Sequence, residues 1–122
     1  MERARVIARH RAPERPAIRV AAGDQVTLGE RDTDWPQFVW TSLASGLGGW
    51  IPVALFDAEH GAATATDEYD TCELDAEAGE ILTLHHEMAD WWWAENAHGQ
   101  TGWIPARNLE PFQAIPAQEK SE

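Results

Sequence analysis

The chain has 122 residues, seven tryptophans, one cysteine and a net charge of −12. The single cysteine, Cys72, excludes an internal disulfide framework, and no apolar run approaches the roughly 18 residues of a membrane span. Phosphate contacts require clustered Lys and Arg, so the acidic composition predicts a protein that binds neither nucleic acid nor membranes.

Short apolar stretches separated by turns begin at the N-terminus. Val6 opens the first stretch, and a polar loop follows it. Gly23-Asp24 reads as a tight turn, because Gly adopts positive φ without a Cβ clash. Beyond it, Val26 and Leu28 alternate with polar residues, which is typical of a half-buried strand. The sequence therefore predicts short strands and no long helix in this half.

An aromatic strand follows, and a hairpin closes the first half. The strand reads F-V-W-T from Phe38, and a Gly-bearing turn at 46–49 leads into G-W-I-P. Pro52 ends this last strand, because proline cannot donate a ladder hydrogen bond. Regular short strands separated by turns favour a small β-barrel or sandwich.

The same order of signals then occurs a second time. I-R-V-A-A-G-D from Ile18 corresponds to L-D-A-E-A-G-E from Leu74, 56 positions later, and the G-W-I-P segments are separated by 53 positions. A period in the fifties, with one three-residue length change, indicates two copies of a small domain. We predict domains at 1–57 and 63–112, packed against each other, and a flexible tail at 113–122.

These segments resemble the Src-homology-3 (SH3) family. The family pattern is an ALYDY segment, an acidic RT loop, E-L-S-F-x-x-G-D, an n-Src loop, W-W-x-A, a distal hairpin and G-x-x-G-x-I-P. The second copy matches it through E-L-D-A-E-A-G-E from Glu73, W-W-W-A from Trp91 and G-Q-T-G-W-I-P from Gly99. The resemblance implies an all-β fold of two tandem SH3-like barrels of bacterial type, each with an aromatic groove for Pro-rich peptides.

The groove residues follow from the resemblance. In the second copy they are Tyr69, Trp91 and Pro105, with Asp67 and Asn108 in two positions where the family has tyrosine. In the first copy the equivalent positions hold residues near His10, then Phe38, Pro52 and Leu55. The second copy is therefore predicted to be the better binding groove.

Charge and a further tryptophan complete the predicted site. The acids Asp67, Glu68, Asp70 and Asp90 would pair with Arg or Lys of a ligand, although a solvated acidic face is the alternative. Residues two apart on a strand share a face, so Trp92 and Ala94 should face the core and Trp93 should point outward. Trp93 would then belong to a contact surface or pack the two copies together.

The sequence predicts a binding module without catalysis, cofactor or metal. The histidines next to Glu87 have no partners at ligand spacing, and Cys72 has no evident base. The predicted partner is a protein or a Pro-rich or basic peptide. The alternative is a structural protein with vestigial grooves that assembles, for example as a homodimer, through its Trp faces. No secretory signal is recognisable, so a cytoplasmic location is expected.

Overall fold

Residues 2–112 are described by the structure, a computed structural model, and they form strands and two short 3₁₀ turns with no α-helix. The strands are β1 (Arg3–Val6), β2 (Arg19–Val20), β3 (Gln25–Arg31), β4 (Phe38–Ser42), β5 (Gly48–Pro52), β6 (Gly61–Thr64), β7 (Tyr69–Asp70), β8 (Ile81–Met88), β9 (Trp91–Glu95), β10 (Thr101–Pro105) and β11 (Leu109–Phe112). The 3₁₀ turns are Val53–Leu55 and Ala106–Asn108. The predicted all-β class is confirmed, and the predicted tail at 113–122 lies outside the described residues.

The chain divides into two compact units, and the division differs from the predicted boundaries at 1–57 and 63–112. Unit 1 contains the described residues up to Ala12 and those from Glu73 onward, whereas unit 2 is the continuous segment 13–72. The chain therefore leaves unit 1 after Ala12, builds the whole of unit 2 and returns to unit 1 at Glu73.

Unit 1 is built on a five-stranded sheet in the order β10-β9-β8-β1-β11. Strand β1 lies between β8 and β11 and pairs antiparallel with both, so that Ala4 is opposite Leu82 on one side and Pro111 on the other. The core contains Ala4, Val6, Leu74, Ala76, Leu82, Leu84, Ala94 and Ile104, with Trp92 and Leu109 packed against it. The first residues of the chain thus complete a core that the second sequence copy supplies.

Unit 2 has the reciprocal arrangement. Its four-stranded sheet has the order β5-β4-β3-β6, and β2 pairs with β7 separately. Ala63 of β6 is opposite Val26 of β3, in the same relation as Ala4 to Leu82 in unit 1. The first strand of each sequence copy therefore closes the sheet of the other copy, and the two first strands are exchanged within one chain.

The strand faces agree with the alternation in the sequence. Val26, Leu28, Leu82 and Leu84 are all buried. Both predicted Gly turns have positive φ, at 96° and 98°. The core position of Ala94 is confirmed, and Trp92 packs against the same core. Within the described residues, no helix has the length and apolar character needed to cross a membrane.

Truncation of a core leucine on β8 should destabilise unit 1. Leu84→Ala removes a buried side chain, which typically costs about 2–5 kcal/mol in the free energy of unfolding. Leu47→Ala is the matched control, because Leu47 is 44% exposed, and its effect should stay within about 0.5 kcal/mol. Urea unfolding followed by tryptophan fluorescence measures both, and equal losses would contradict the placement of Leu84.

Candidate functional site

A two-residue turn positions Trp91 in unit 1. Met88 pairs with Trp91 across the β8–β9 hairpin, and the residues between them, Ala89 and Asp90, have φ of 54° and 70°. Positive φ at both central residues is the geometry of a type I′ turn, whose twist matches that of the flanking strands. The Asp90 carbonyl also accepts a hydrogen bond from the Ala106 amide at 2.9 Å. The turn thus joins the start of β9 to the segment that follows β10.

Trp91 and Pro105 lie opposite each other at the ends of β9 and β10. The Trp91 side chain is half-buried, and Pro105 is buried beside it in the ladder. The structure therefore brings together two of the three residues predicted to line the better groove.

His10 provides the second ring of this site. Its ring meets Trp91 edge-on, with a centroid distance of 5.5 Å and an interplanar angle of 79°. The His10 backbone bonds reciprocally with Ala76, and Nε2 lies 2.9 Å from Oε1 of Glu73. The position that sequence analysis assigned to the first copy's groove is therefore beside the tryptophan of the second copy.

Asn108 holds the backbone segment that leads to His10. It is 9% exposed, and its amide Nδ2 donates to the carbonyl oxygens of Ala8, at 3.0 Å, and Arg9, at 3.3 Å. These bonds hold the segment that carries His10. In unit 1, the predicted ligand-binding position Asn108 thus fixes the backbone that leads to the groove.

Tyr69 and three of the predicted acids lie in unit 2, so the structure does not bring them together with Trp91 within one unit. Asp70 forms an ion pair with Arg19 at 3.1 Å and accepts a hydrogen bond from the Cys72 amide. The Asp67 carboxylate accepts from the Glu68 amide at 2.7 Å. Of the predicted acids, Asp90 shares unit 1 with Trp91.

The equivalent site of unit 2 contains Phe38, Pro52 and Tyr69. Phe38 is opposite Pro52 in the β4–β5 ladder, and Tyr69 pairs with Val20. Phe38 and Tyr69 are 6% and 8% exposed, so this site presents little aromatic surface to a ligand.

Trp93 contacts a second tryptophan across the ladder. Its ring is 5.3 Å from that of Trp103, which in turn meets His86 at 5.2 Å. In unit 2, Trp40 and Trp50 form the corresponding edge-on pair at 5.2 Å. Trp103 is 4% exposed and the other three tryptophan rings are half-buried, so these pairs expose only part of their aromatic surface.

Glu73 and the acidic residues that follow it contact the segment that carries His10, and the sequence pattern did not predict these contacts. Arg11 hydrogen-bonds to the Glu77 carboxylate, and this contact raises the pKa of the Arg11 guanidinium, which stays charged. The Ala12 amide donates to Asp75 at 2.6 Å. The charge difference between residues 1–11 and the acidic second copy was the available signal for these contacts. In residues 2–112, no group of three or more His, Cys, Asp or Glu side chains is arranged to hold a metal ion.

Comparison with known proteins adds one finding. Residues 66–106 match the family model of the SH3 domain, whereas neither the curated proteins nor the solved structures contain a match. Residues 66–72 of the matched segment lie in unit 2, and residues 73–106 lie in unit 1. Residues 66–106 are therefore similar to the SH3 domain, and the all-β architecture agrees with this similarity.

Proposed function

We propose that unit 1 binds a Pro-rich or basic segment of a partner protein at the surface formed by His10, Trp91 and Pro105. SH3 domains are in general non-catalytic modules of protein interaction. The observation that carries the proposal is the half-buried Trp91 ring, which lies opposite Pro105 in the ladder and is flanked by an edge-on histidine. Flat rings of this kind pack against the ridges of a polyproline II helix.

The charges around this surface support a basic ligand. Asp90 and Glu87 are exposed near the start of β9, and Glu73 lies on the side of His10. Acidic groups next to an apolar groove favour Arg or Lys in a ligand and raise the rate of encounter. The groove has His10 and Ala8 where the family has two tyrosines, so we expect micromolar or weaker affinity.

The Trp91→Ala variant of the full chain tests the proposal. The probe is an array of synthetic peptides with P-x-x-P spacing and one flanking Arg, followed by titration calorimetry of the strongest binders. Trp91→Ala should weaken binding at least tenfold, because the ring supplies the largest contact area. Trp91→Phe keeps a flat ring and should retain more of the affinity.

Trp40→Ala is a control for the loss of a tryptophan in unit 2, outside the proposed groove, and it should leave peptide affinity unchanged. Native circular dichroism of all three variants separates lost contacts from lost structure. If no peptide binds the wild type, or if Trp91→Ala binds as tightly as wild type, the proposed groove is wrong.

A second candidate function is assembly through the tryptophan faces. It is favoured by the burial of Phe38 and Tyr69, which leaves unit 2 with little exposed aromatic surface at its groove position. Sedimentation velocity distinguishes the two functions. A tight dimer whose tryptophan emission is blue-shifted supports assembly, and a monomer at the same concentration supports peptide binding. The bacterial type and the cytoplasmic location stay predictions from the sequence.

A further inference from the structure

The exchange of first strands pairs opposite charges in both units. In unit 2, Arg19 is directly opposite Asp70, and their side chains form an ion pair at 3.1 Å. In unit 1, the bridge between His10 and Ala76 places Arg11 opposite Asp75 in the same antiparallel register. Glu77 adds a second carboxylate that bonds to Arg11.

The sequence repeat shows which residues would be paired if the first strands were not exchanged. Arg11 occupies the position in unit 1 that Asp70 occupies in unit 2, and Asp75 corresponds in the same way to Arg19. If each first strand remained with its own copy, Arg11 would be opposite Arg19, and Asp70 would be opposite Asp75. Both positions would then hold like charges, which are destabilising when they are directly opposite on paired strands.

The apolar contacts discriminate less between the two arrangements. Ala4 and Ala63 fill equivalent buried positions opposite Leu82 and Val26. Arg5 is paired with Glu110 at 3.2 Å, but the first copy has Asp57 at the position of Glu110, so this pair does not select an arrangement. The quartet Arg11, Arg19, Asp70 and Asp75 is the set of directly opposed charges that selects the exchanged arrangement.

We propose that this charge quartet decides which first strand closes which sheet, and that it directs the chain into the exchanged arrangement rather than two consecutive barrels. The quartet therefore determines which of the two first strands pairs with which sheet. Exchanging the charges of Arg11 and Asp70 makes the charge pattern favour two consecutive barrels, without changing the composition or the net charge.

Disulfide trapping in the full chain reports the arrangement. With Cys72→Ser as background, Arg3→Cys/Thr83→Cys reports the exchanged pairing, since Arg3 is opposite Thr83 in unit 1. Glu2 accepts from the Leu84 amide, so the 3–83 pair is a non-hydrogen-bonded one, with Cα atoms about 4.5 Å apart and within disulfide range. Arg3→Cys/Thr27→Cys reports the consecutive pairing, because Thr27 is the repeat equivalent of Thr83.

The wild-type charges should give at least a tenfold excess of the 3–83 over the 3–27 cross-link within monomers, measured by peptide mapping under non-reducing conditions. Adding Arg11→Asp/Asp70→Arg should shift the ratio at least about fivefold toward 3–27, since exposed pairs each contribute roughly 1.5- to 5-fold. Adding Arg19→Asp/Asp75→Arg as well should move the ratio back toward 3–83.

Salt provides an independent measurement that needs no folded charge variant. At 1 M NaCl the screening length falls to about 3 Å, so the ratio for wild-type charges should move toward 3–27 when oxidation follows refolding in high salt. The proposal is overturned if the ratio of 3–83 to 3–27 cross-links changes neither with the charge exchange nor with salt. So does a 3–83 cross-link found only between two chains, because the exchange would then not be internal.

Discussion

Replacement of Val6 by Asp should unfold unit 1 while unit 2 keeps its native structure. Val6 is 1% exposed and belongs to the core cluster of unit 1, together with Leu82 and Ile104. An unpaired carboxylate there has no compensating partner, and we expect a loss of about 3–5 kcal/mol. That loss is comparable with the whole stability of a small domain.

The tryptophan indole resonances assign the damage to a unit. Trp91, Trp92, Trp93 and Trp103 belong to unit 1, whereas Trp35, Trp40 and Trp50 belong to unit 2. In a ¹H–¹⁵N spectrum of Val6→Asp, the four indole signals of unit 1 should collapse toward random-coil positions, and the three of unit 2 should stay dispersed.

Ala65→Asp is the reciprocal variant. Ala65 is 2% exposed and corresponds in the repeat to Val6, but it lies in unit 2. It should affect Trp35, Trp40 and Trp50 instead. Two contiguous domains at 1–57 and 63–112 would give the opposite assignment in both variants, so that pattern would rule out the exchanged strands.

The second large effect is expected from Gly102→Ala on β10. A Cβ at this position would lie 2.7 Å from the backbone carbon of Glu73 and 2.7 Å from the amide nitrogen of Leu74. This close approach accompanies the hydrogen bond from the Leu74 amide to the Trp103 carbonyl. Backbone atoms cannot move aside cheaply, so we expect unit 1 to lose about 3 kcal/mol or more. Peptide binding should fall as well, because Glu73 would be displaced from His10.

Gly49→Ala is the control, since Gly49 is the repeat equivalent of Gly102 in unit 2. Its nearest neighbours would be side-chain carbons of Thr71 and Ile18 at 3.1–3.4 Å, which can yield by a few tenths of an ångström. Its cost should therefore stay within about 1 kcal/mol. Urea unfolding of both variants measures the difference. Equal costs would show that the backbone contact at Gly102 is not rigid.

Local structure was predictable from the sequence, because it depends on local patterns. The alternation at Val26/Leu28 and Leu82/Leu84 identified strands correctly, and Gly23 and Gly79 identified turns with positive φ. The partner of each first strand was not predictable from such patterns, since the two copies present equivalent apolar positions at β3 and β8. Strand pairing is a long-range property, and here it differs from the order of the repeats along the chain.

The candidate site shows the same limit. The sequence assigned Trp91 and Pro105 to one site because both belong to one hairpin of the second copy, and they are opposite each other in its ladder. Their role in binding stays a prediction. The order of the repeats predicts His10 in the first copy's groove and Tyr69 in the second, but the exchanged strands place His10 beside Trp91 in unit 1 and Tyr69 in unit 2. The opposite charges of Arg11 and Asp75, and of Arg19 and Asp70, were visible in the sequence. These charges indicate how the first strands pair only when the register of the antiparallel segments that carry them is known.

The nested course of the chain has a consequence during its synthesis on the ribosome. All of unit 2 has been translated once Cys72 is added, whereas β1 must wait for β8 and for β11, which ends at Phe112. At about 5–20 residues per second, the wait of β1 for its last neighbour is roughly 5–20 s. Unit 2 can thus form first, and β1 stays without its final partners until the rest of unit 1 has been translated.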